Sequence, residues 1–210
     1  NNLIKTLLNA NVNVIDYSME NIKLLKHSEN HLYLPYQYND NEINALKKVI
    51  LNTNKVYDVA FVGKLSQKRR KICDELTLKG VSILHLDEIF NEERDKSIPR
   101  SKILLNIHFA DDYNMYEMFR CDRWLFAGML VVSENSLYDA TLDINELCIF
   151  ENYDKLVDRI MYILDNYDDF YKSYIEHYNN HIDIIKNNRK NDAMKIKNIF
   201  HNNIKNISHL

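Results

Sequence analysis

Short apolar runs separated by amphipathic stretches make up the middle of the chain. The runs lack polar alternation, which predicts strands buried on both faces. They lie at residues 56–62, 81–86, 103–107, 129–132 and 147–150. Apolar positions spaced every three or four residues predict helices. These lie at residues 41–51, 67–79, 115–127 and 152–164, and the charged stretch 87–96 is predicted as a further short helix. Strands alternating with helices predict an α/β fold, a parallel sheet flanked by helices with right-handed crossovers.

The two ends of the chain carry weaker patterns. Before the first main strand we predict the end of a helix at 3–9, a strand at 12–15, a helix capped by Ser18 that runs to about Lys26, and an extended piece at 32–35. After the last strand we predict two helices rich in Tyr, Asn and Lys, at 168–187 and 191–207. The aromatic side chains of these helices suit either a contact with another domain or simple packing.

Composition narrows the class of protein. The 210 residues are 46% hydrophobic and 27% charged, which suits one globular domain with or without an appendage. The net charge of −3 argues against a general nucleic-acid binder. Only 3 glycines and 2 prolines leave little room for linkers or an all-β fold.

The cysteines and the apolar stretches indicate where the protein works. Cys73, Cys121 and Cys148 lie far apart without a CxxC pair, which indicates buried or free thiols in a reducing, cytoplasmic setting. The stretch 124–132 contains a glycine and is too short to span a bilayer, so we expect no transmembrane segment. No signal peptide is visible. The chain starts with Asn and not Met, so we expect a fragment of a longer protein.

A strand, a glycine and a helix start follow one another at residues 56–70. Gly63 ends the first main strand, Lys64 follows, and Ser66 is a good N-cap. The free amides and the dipole of a helix start favour an anion there. The loop matches neither GxGxxG nor the Walker pattern. The basic residues 68–70 either face that anion or form a solvated helix face.

The central unit, residues 103–134, is predicted as strand, loop, helix, turn and strand. Asp111, Asp112 and Asn114 are good residues to start the helix, and Gly128 suits its left-handed end. Its apolar stripe is predicted to be Met115, Phe119, Leu125 and Phe126. Ligands of such parallel sheets bind at the carboxyl ends of the strands. That edge is predicted to carry His108, Tyr116, Glu117, Ser133 and Glu134.

This unit resembles the C-terminal, nucleotide-sugar-binding domain of GT-B glycosyltransferases, in particular a bacterial and viral subgroup of family 1-like enzymes. The matching residues are Leu105-Asn106-Ile107-His108, Glu117, Arg120, Gly128 and Val131-Val132-Ser133-Glu134. The resemblance implies a Rossmann-like sheet with a helical C-terminal extension. It also implies a hexosyltransferase that moves sugar from a nucleotide-diphosphate donor to a glycan, protein or lipid acceptor. Such enzymes generally use neither metal nor other cofactor.

The resemblance also implies roles for individual residues. Glu117, expected one turn inside the helix, would accept hydrogen bonds from the ribose hydroxyls; otherwise it is a favourable charge near a helix start. Arg120 would orient Glu117 or bind phosphate. Arg69 or Arg70 would stabilise the departing phosphate together with the central helix start. His108 would donate to phosphate or sugar, unless it is a satisfied structural residue. Glu134 would bind sugar hydroxyls or cap the following turn.

The same resemblance divides the chain. Residues 1–50 match the end of an N-terminal acceptor domain and its hinge, 51–170 the donor domain, and 171–210 the C-terminal helices. The hinge match rests on Tyr17, Ser18, Asn21, Leu34, Pro35 and Tyr38. An ordinary surface β-α unit is the alternative. The acceptor domain would then be a partner within the same protein, and it would hold any catalytic base.

Two other interpretations stay open. The glutamate–seven–glutamate motif of many retaining enzymes is absent, which favours a non-catalytic Rossmann-like binding module. A receiver-like signalling domain ranks lower, because Gly63 and Lys64 stand where acidic residues are needed. Asp111-Asp112 lacks the DxD spacing of a metal motif, and neither a Ser-His-Asp order nor HExxH is present. We therefore predict no metal site.

Overall fold

The computed structural model describes residues 6, 14–24, 31–137 and 142–207. Contacts divide the chain into two compact units. One unit runs from Asn39 to Asp183, and the other joins the described residues up to Tyr38 with those from Ile184 onward. The second unit contains a small parallel sheet of β1 (Val14–Asp16) and β2 (His31–Tyr33).

The first unit is built on a five-stranded parallel sheet, which confirms the predicted fold class. Its strands are β3 (Tyr57–Val62), β4 (Ile83–Leu86), β5 (Ser101–Asn106), β6 (Leu130–Glu134) and β7 (Ile149–Glu151). They lie in the order β4-β3-β5-β6-β7. Each predicted strand is present, with its bounds shifted by a residue or two. The strands are parallel, and helical crossovers join β3 to β4, β4 to β5 and β5 to β6.

The strand order reverses direction between β3 and β5. The chain passes from β3 to β4 on one side, and β5 then pairs with the other side of β3. The loops that follow β3 and β5 therefore leave the sheet in different directions, which opens a crevice at their carboxyl ends. We call this crevice the switch point.

The helices are α1 (Met19–Leu24), α2 (Asp40–Asn52), α3 (Gln67–Leu78), α4 (Asn91–Ser97), α5 (Met118–Phe126), α6 (Leu156–Asp165) and α7 (Tyr167–Ile207). Short 3-10 turns lie at Ile98–Arg100 and Tyr153–Lys155. The predicted N-caps are confirmed, because Ser18 Oγ accepts from Asn21 N at 3.1 Å and Ser66 Oγ from Arg69 N at 3.3 Å. The helix end predicted at 3–9 lies outside the described residues, apart from Thr6, which is helical.

Three helix predictions were wrong in detail. The helix predicted at 87–96 begins only at Asn91, because Glu88 has a φ of 54° and interrupts the helical backbone. The central helix begins at Met118 and not near Met115, so Glu117 is its N-cap residue. Of the predicted apolar stripe, Leu125 and Phe126 are buried as expected, but Phe119 is not. Met118, Cys121 and Leu125 are buried, whereas Phe119 is 55% exposed.

The C-terminal helices predicted at 168–187 and 191–207 form one continuous helix, α7, of 41 residues. Arg189, in the predicted break, is buried and donates to the carbonyl of Tyr36 at 3.1 Å. Tertiary contacts of this kind support helical structure through a polar stretch that has little helix-forming pattern of its own.

The core of the first unit lies between the sheet and helices α3, α6 and α7. It is formed by side chains such as Phe61, Leu76, Ile103, Leu105, Leu130, Val132, Ile160, Ile163 and Tyr174. All three cysteines are free and buried, as predicted. Burial raises the pKa of Cys73 to about 11 and that of Cys121 to about 12. Among the described helices, none is long and apolar enough to cross a bilayer.

A row of tyrosines on α7 binds the turn between α5 and β6. The hydroxyl of Tyr178 donates to the carbonyl of Phe126 at 2.6 Å. Those of Tyr171 and Tyr174 donate to the carbonyls of Gly128 and Met129, each at 3.1 Å. Phe126 ends α5, and the last carbonyls of a helix lack partners within the helix, so the Tyr178 hydroxyl supplies a partner for one of them. Packing is therefore the role of these three aromatic side chains.

We expect Tyr178→Phe to lower the free energy of unfolding by about 1–3 kcal/mol, because the buried Phe126 carbonyl loses its donor. Urea denaturation measures this change. Tyr162→Phe is the matched control, since Tyr162 is 55% exposed, and it should change stability by less than about 0.5 kcal/mol. Equal stabilities of the two variants would contradict this role for the hydroxyl.

Candidate functional site

Gly63, His108 and Ser133 lie at one edge of the sheet. The register pairs Phe61 with Leu105 and Asn106 with Ser133, so the carboxyl ends of β3, β5 and β6 stand side by side. The predicted gathering of these three strand ends is therefore present. It places the loop after β3, the loop after β5 and the start of α5 around the switch point.

Two arginines from different helices converge on Gly63. Gly63 has a φ of +112°, in the region that favours glycine. A Cβ added there would lie 3.5 Å from Nη2 of Arg120 and 3.7 Å from Nη1 of Arg69. Gly63 therefore leaves the space that both guanidinium groups border. Positive charge is concentrated where the strand order reverses.

Arg69 is almost wholly buried, with 3% of its surface exposed. Its Nε donates to the carbonyl of Ile107 at 2.9 Å, and its Nη1 to that of Lys64 at 3.0 Å. The guanidinium lies between the rings of Phe61 and Phe109, 5.5 and 5.3 Å from their centroids. Burial, and then the charge of Arg120, lower the pKa of Arg69. Arg69 therefore ties together the loops after β3 and β5.

Arg120 is held by a chain of buried polar groups. Its Nη1 donates to Asn106 Oδ1 at 3.2 Å, and Asn106 Nδ2 donates to Ser133 Oγ at 3.0 Å. The hydroxyl of Ser133 in turn donates to the carbonyl of Glu134 at 2.9 Å. Asn106 and Ser133 are both fully buried. Ser133, a predicted ligand residue, therefore lies behind Arg120 and orients it.

Glu117 is the partly exposed carboxylate of the site. Its side chain is 37% exposed, and its Oε2 lies 4.0 Å from Nη2 of Arg120. As the N-cap residue of α5 it makes no capping hydrogen bond within the described part of the chain. Arg120 was predicted either to orient Glu117 or to contact a ligand, and this geometry suits both roles. Gly63, Arg69, Asn106, Glu117 and Arg120 are called the switch-point group below.

Lys68 and Glu134 form a second, adjacent arrangement. Lys68 Nζ lies 2.6 Å from Glu134 Oε1 and 2.8 Å from Asp111 Oδ1. The other oxygen of Glu134 accepts from the backbone amide of His108 at 3.0 Å. Burial lowers the pKa of Lys68, but its hydrogen bonds with Asp111 and Glu134 outweigh burial and raise that pKa overall. Glu134 thus fastens β6 to α3 and to the loop after β5.

The other predicted site residues take varied positions. The ring of His108 is buried, and its Nε2 lies 3.0 Å from the carbonyl of Asn135, to which it donates. This contact agrees with the structural alternative for His108. Tyr116 is 3% exposed and packs against Phe150 at 5.4 Å, so the structure does not bring it into the switch-point group. Lys64 and Arg70 are exposed.

Two residues of the site had no role of their own in the sequence prediction. Asn106 is the amide that orients Arg120, and its signal was a polar residue inside an otherwise apolar strand. In the sequence, Lys68 is simply one of the three basic residues 68–70. In the structure its side chain is only 14% exposed. Its partner Glu134 lies far along the chain, so sequence spacing gives no sign of the pair.

The chain is similar to several proteins of Acanthamoeba polyphaga mimivirus. It is 32% identical to uncharacterized protein R358 over 212 residues, which covers 99% of this chain and 68% of R358. It is 43% identical to uncharacterized protein L138 over 192 residues, or 90% of this chain, but spans only 21% of L138. For uncharacterized protein L140, the identity is 43% over 167 residues, or 78% of this chain and 54% of L140.

The comparison with family models and solved structures adds two findings. No family model matches the chain. The crystal structure of AviGT4, a glycosyltransferase involved in avilamycin A biosynthesis, aligns with a TM-score of 0.49 and 11% sequence identity. The alignment covers 80% of this chain and 63% of AviGT4.

We expect Lys68→Met to lower the free energy of unfolding by about 1–3 kcal/mol, because it leaves the nearly buried Glu134 without its cation. Thermal or urea denaturation measures the effect. Arg70→Met, an exposed position on the same helix, serves as the control and should change stability by less than about 0.5 kcal/mol. A Lys68→Met protein as stable as the Arg70→Met protein would show that the pair contributes nothing.

Proposed function

The chain belongs to the family of the mimivirus protein R358, and we propose that the domain common to this family is the donor domain of a glycosyltransferase. In this proposal the switch point binds a nucleotide-diphosphate sugar, and the glycosyl group, a hexose, passes to a glycan, protein or lipid acceptor. An N-terminal domain of the same protein holds the acceptor.

The observation that carries the proposal is the convergence of Arg69 and Arg120 on Gly63. Both guanidinium groups lie within 4 Å of one point beside a glycine. Like charges this close repel, and the carboxylate of Glu117 is 4.0 Å from only one of them. A bound diphosphate relieves the repulsion and accepts bidentate hydrogen bonds from guanidinium. The N-terminus of α3 adds its favourable dipole on the same side of β3.

The two arginines have different tasks in this proposal. Arg120 is 20% exposed and has donors left on Nη2, so it contacts the phosphate. Arg69 already donates to the carbonyls of Ile107 and Lys64. It therefore contributes its charge and fixes the loops after β3 and β5. When the glycosyl bond breaks, negative charge grows on the departing diphosphate. Donors that are already oriented stabilise that charge without rearrangement, and thereby lower the barrier.

Glu117 supplies recognition of the nucleoside. Its exposed carboxylate beside Arg120 can accept hydrogen bonds from two vicinal ribose hydroxyls while the arginine holds its orientation. In this proposal the ribose therefore lies over the start of α5 and the diphosphate near Gly63. No metal ion is required, because arginines and helix dipole supply the positive charge.

A second candidate is a binding module without catalysis. Several predicted ligand groups are already bonded within the protein: Glu134 to Lys68, His108 to Asn135, and Ser133 to Asn106. Fewer groups then remain to bind the sugar itself. Slow hydrolysis of a bound nucleotide sugar to nucleoside diphosphate and free sugar would favour the enzyme, and binding without any turnover would favour the module.

Glu117→Ala should weaken binding of UDP or GDP by about 1.5–3 kcal/mol, roughly ten- to a hundred-fold, through the lost ribose hydrogen bonds. Isothermal titration calorimetry measures this loss. Folding should change by less than about 1 kcal/mol, since a carboxylate at a helix start contributes little. A 2′-deoxy nucleotide is the control ligand. It should bind wild type poorly and be indifferent to the substitution, and the idea fails if Glu117→Ala binds the ribonucleotide normally.

Arg120→Met should weaken binding of the same nucleotides at least about tenfold, because a charge-assisted contact to phosphate is lost. Arg70→Met is the matched control, since Arg70 is exposed on α3, and it should bind like wild type. The titrations are repeated with EDTA, which should leave wild-type affinity unchanged. Loss of binding with EDTA would point instead to a metal-dependent site, and equal losses in both variants would indicate nonspecific attraction.

A further inference from the structure

A second cluster of potential ligand side chains shares no residue with the switch-point group. It consists of Glu146, His177 and His181, whose candidate metal-binding atoms all lie within 4.8 Å of one another. The two imidazole rings have centroids 4.0 Å apart, and His177 Nε2 is 3.7 Å from Glu146 Oε2. The three side chains are therefore close enough to bind one ion together.

The two histidines are spaced for metal binding. Residues four apart project from the same face of a helix, and a pair of histidines at this spacing is the helix-borne half of many zinc sites. Glu146 comes from the turn before β7, so it approaches from a different element. The sequence prediction of no metal site weighed only the DxD and HExxH patterns, and the third member of this cluster lies in a distant turn that sequence spacing does not reveal.

The hydrogen bonding of His181 leaves one nitrogen available. Its Nδ1 lies 2.9 Å from the carbonyl oxygen of His177. A carbonyl only accepts, so Nδ1 carries the hydrogen, and the lone pair of the neutral ring is on Nε2. A backbone partner of this kind selects the tautomer and orients the ring in metal sites.

All three side chains stand on well-anchored backbone. Tyr174 and Tyr178, which flank His177 on α7, donate to the carbonyls of Met129 and Phe126. Glu146 lies between Ile144 and Leu147, which are both 1% exposed. The amide of Leu147 also bonds the carbonyl of Ile144 at 2.9 Å. An open groove of about 480 Å³ adjoins Glu146 and His177.

We propose that Glu146, His177 and His181 bind one divalent transition-metal ion such as zinc. Two imidazoles and one carboxylate are a typical zinc donor set, whereas calcium and magnesium prefer oxygen ligands throughout. Three protein ligands leave a coordination position for water at the groove. The ion fastens the turn at residues 142–148 to α7, so zinc raises the melting temperature. A plain His177–Glu146 ion pair is the competing explanation.

The test titrates Zn²⁺ into the full chain after EDTA treatment and dialysis, by calorimetry. Wild type should bind one ion tightly. Loss of an outer-shell partner alone typically costs about 10- to 100-fold in metal affinity, so each of Glu146→Gln, His177→Gln and His181→Gln should lose at least about tenfold. Glu176→Gln, an exposed carboxylate beside His177, is the matched control and should bind as wild type does.

A Co²⁺ absorption spectrum of wild type gives a measurement that does not depend on the folding of any variant. An intense visible band indicates four- or five-coordinate binding and supports the site, whereas the weak band of a six-coordinate aqua ion contradicts it. Zinc affinity that is absent in wild type, or equal in wild type and the three ligand variants, overturns the proposal. The His181→Gln protein should bind nucleotide as tightly as wild type. The metal-site proposal and the nucleotide-site proposal can therefore fail independently of each other.

Discussion

The buried charge of Arg69 is the constraint on which the functional edge of the sheet depends. An ion removed from water costs several kcal/mol unless polar partners surround it. Within the described part of the chain, both hydrogen bonds of the Arg69 side chain go to backbone carbonyls, of Lys64 and Ile107. Carbonyl groups satisfy the donors without neutralising the charge. The loops after β3 and β5 are therefore held in place, and the positive charge remains available beside Gly63.

The other polar groups at this edge extend the same arrangement. Asn106 orients Arg120 from within the sheet, and Ser133 orients Asn106 from the next strand. Glu134 accepts from Lys68 on one side and from the amide of His108 on the other. Asn106, Ser133 and Glu134 thus each have a hydrogen-bond partner from a neighbouring element. Arg120 and Glu117 are partly exposed, with 20% and 37% of their side chains accessible.

The sequence predicted the parallel sheet, the Ser18 and Ser66 caps and the glycine ends because these are local signals. Continuous apolar runs mark buried strands, and Gly128 has the expected positive φ of 86°. The start of α5 was misplaced because polar residues suited to a helix start extend from Asp111 to Asn114, while packing of Met118 and Cys121 decides the actual start. The continuity of α7 through Arg189 depends on a contact with Tyr36, far away in sequence.

The contacts of polar side chains were harder to predict than the places of these residues along the sheet. Ser133 and Glu134 lie at the expected edge, yet both are bonded to partners from other strands and helices that no spacing reveals. Asn106 shows the reverse case, since an amide within a buried strand already indicates a hydrogen-bonded role before its partner is known. Whether a polar residue faces a ligand or supports a neighbour is decided by tertiary contacts.

The most direct test of the account is to map a bound nucleotide by amide NMR. UDP, GDP and ADP are titrated in turn into the isotope-labelled chain while backbone amide shifts are followed. The account predicts that one of them produces saturable shifts concentrated at Gly63, Lys64, Glu117 and Arg120, with little change at His177 and His181. Saturable shifts centred elsewhere, or none with all three nucleotides, would contradict the assignment of the switch point as a nucleotide-sugar site.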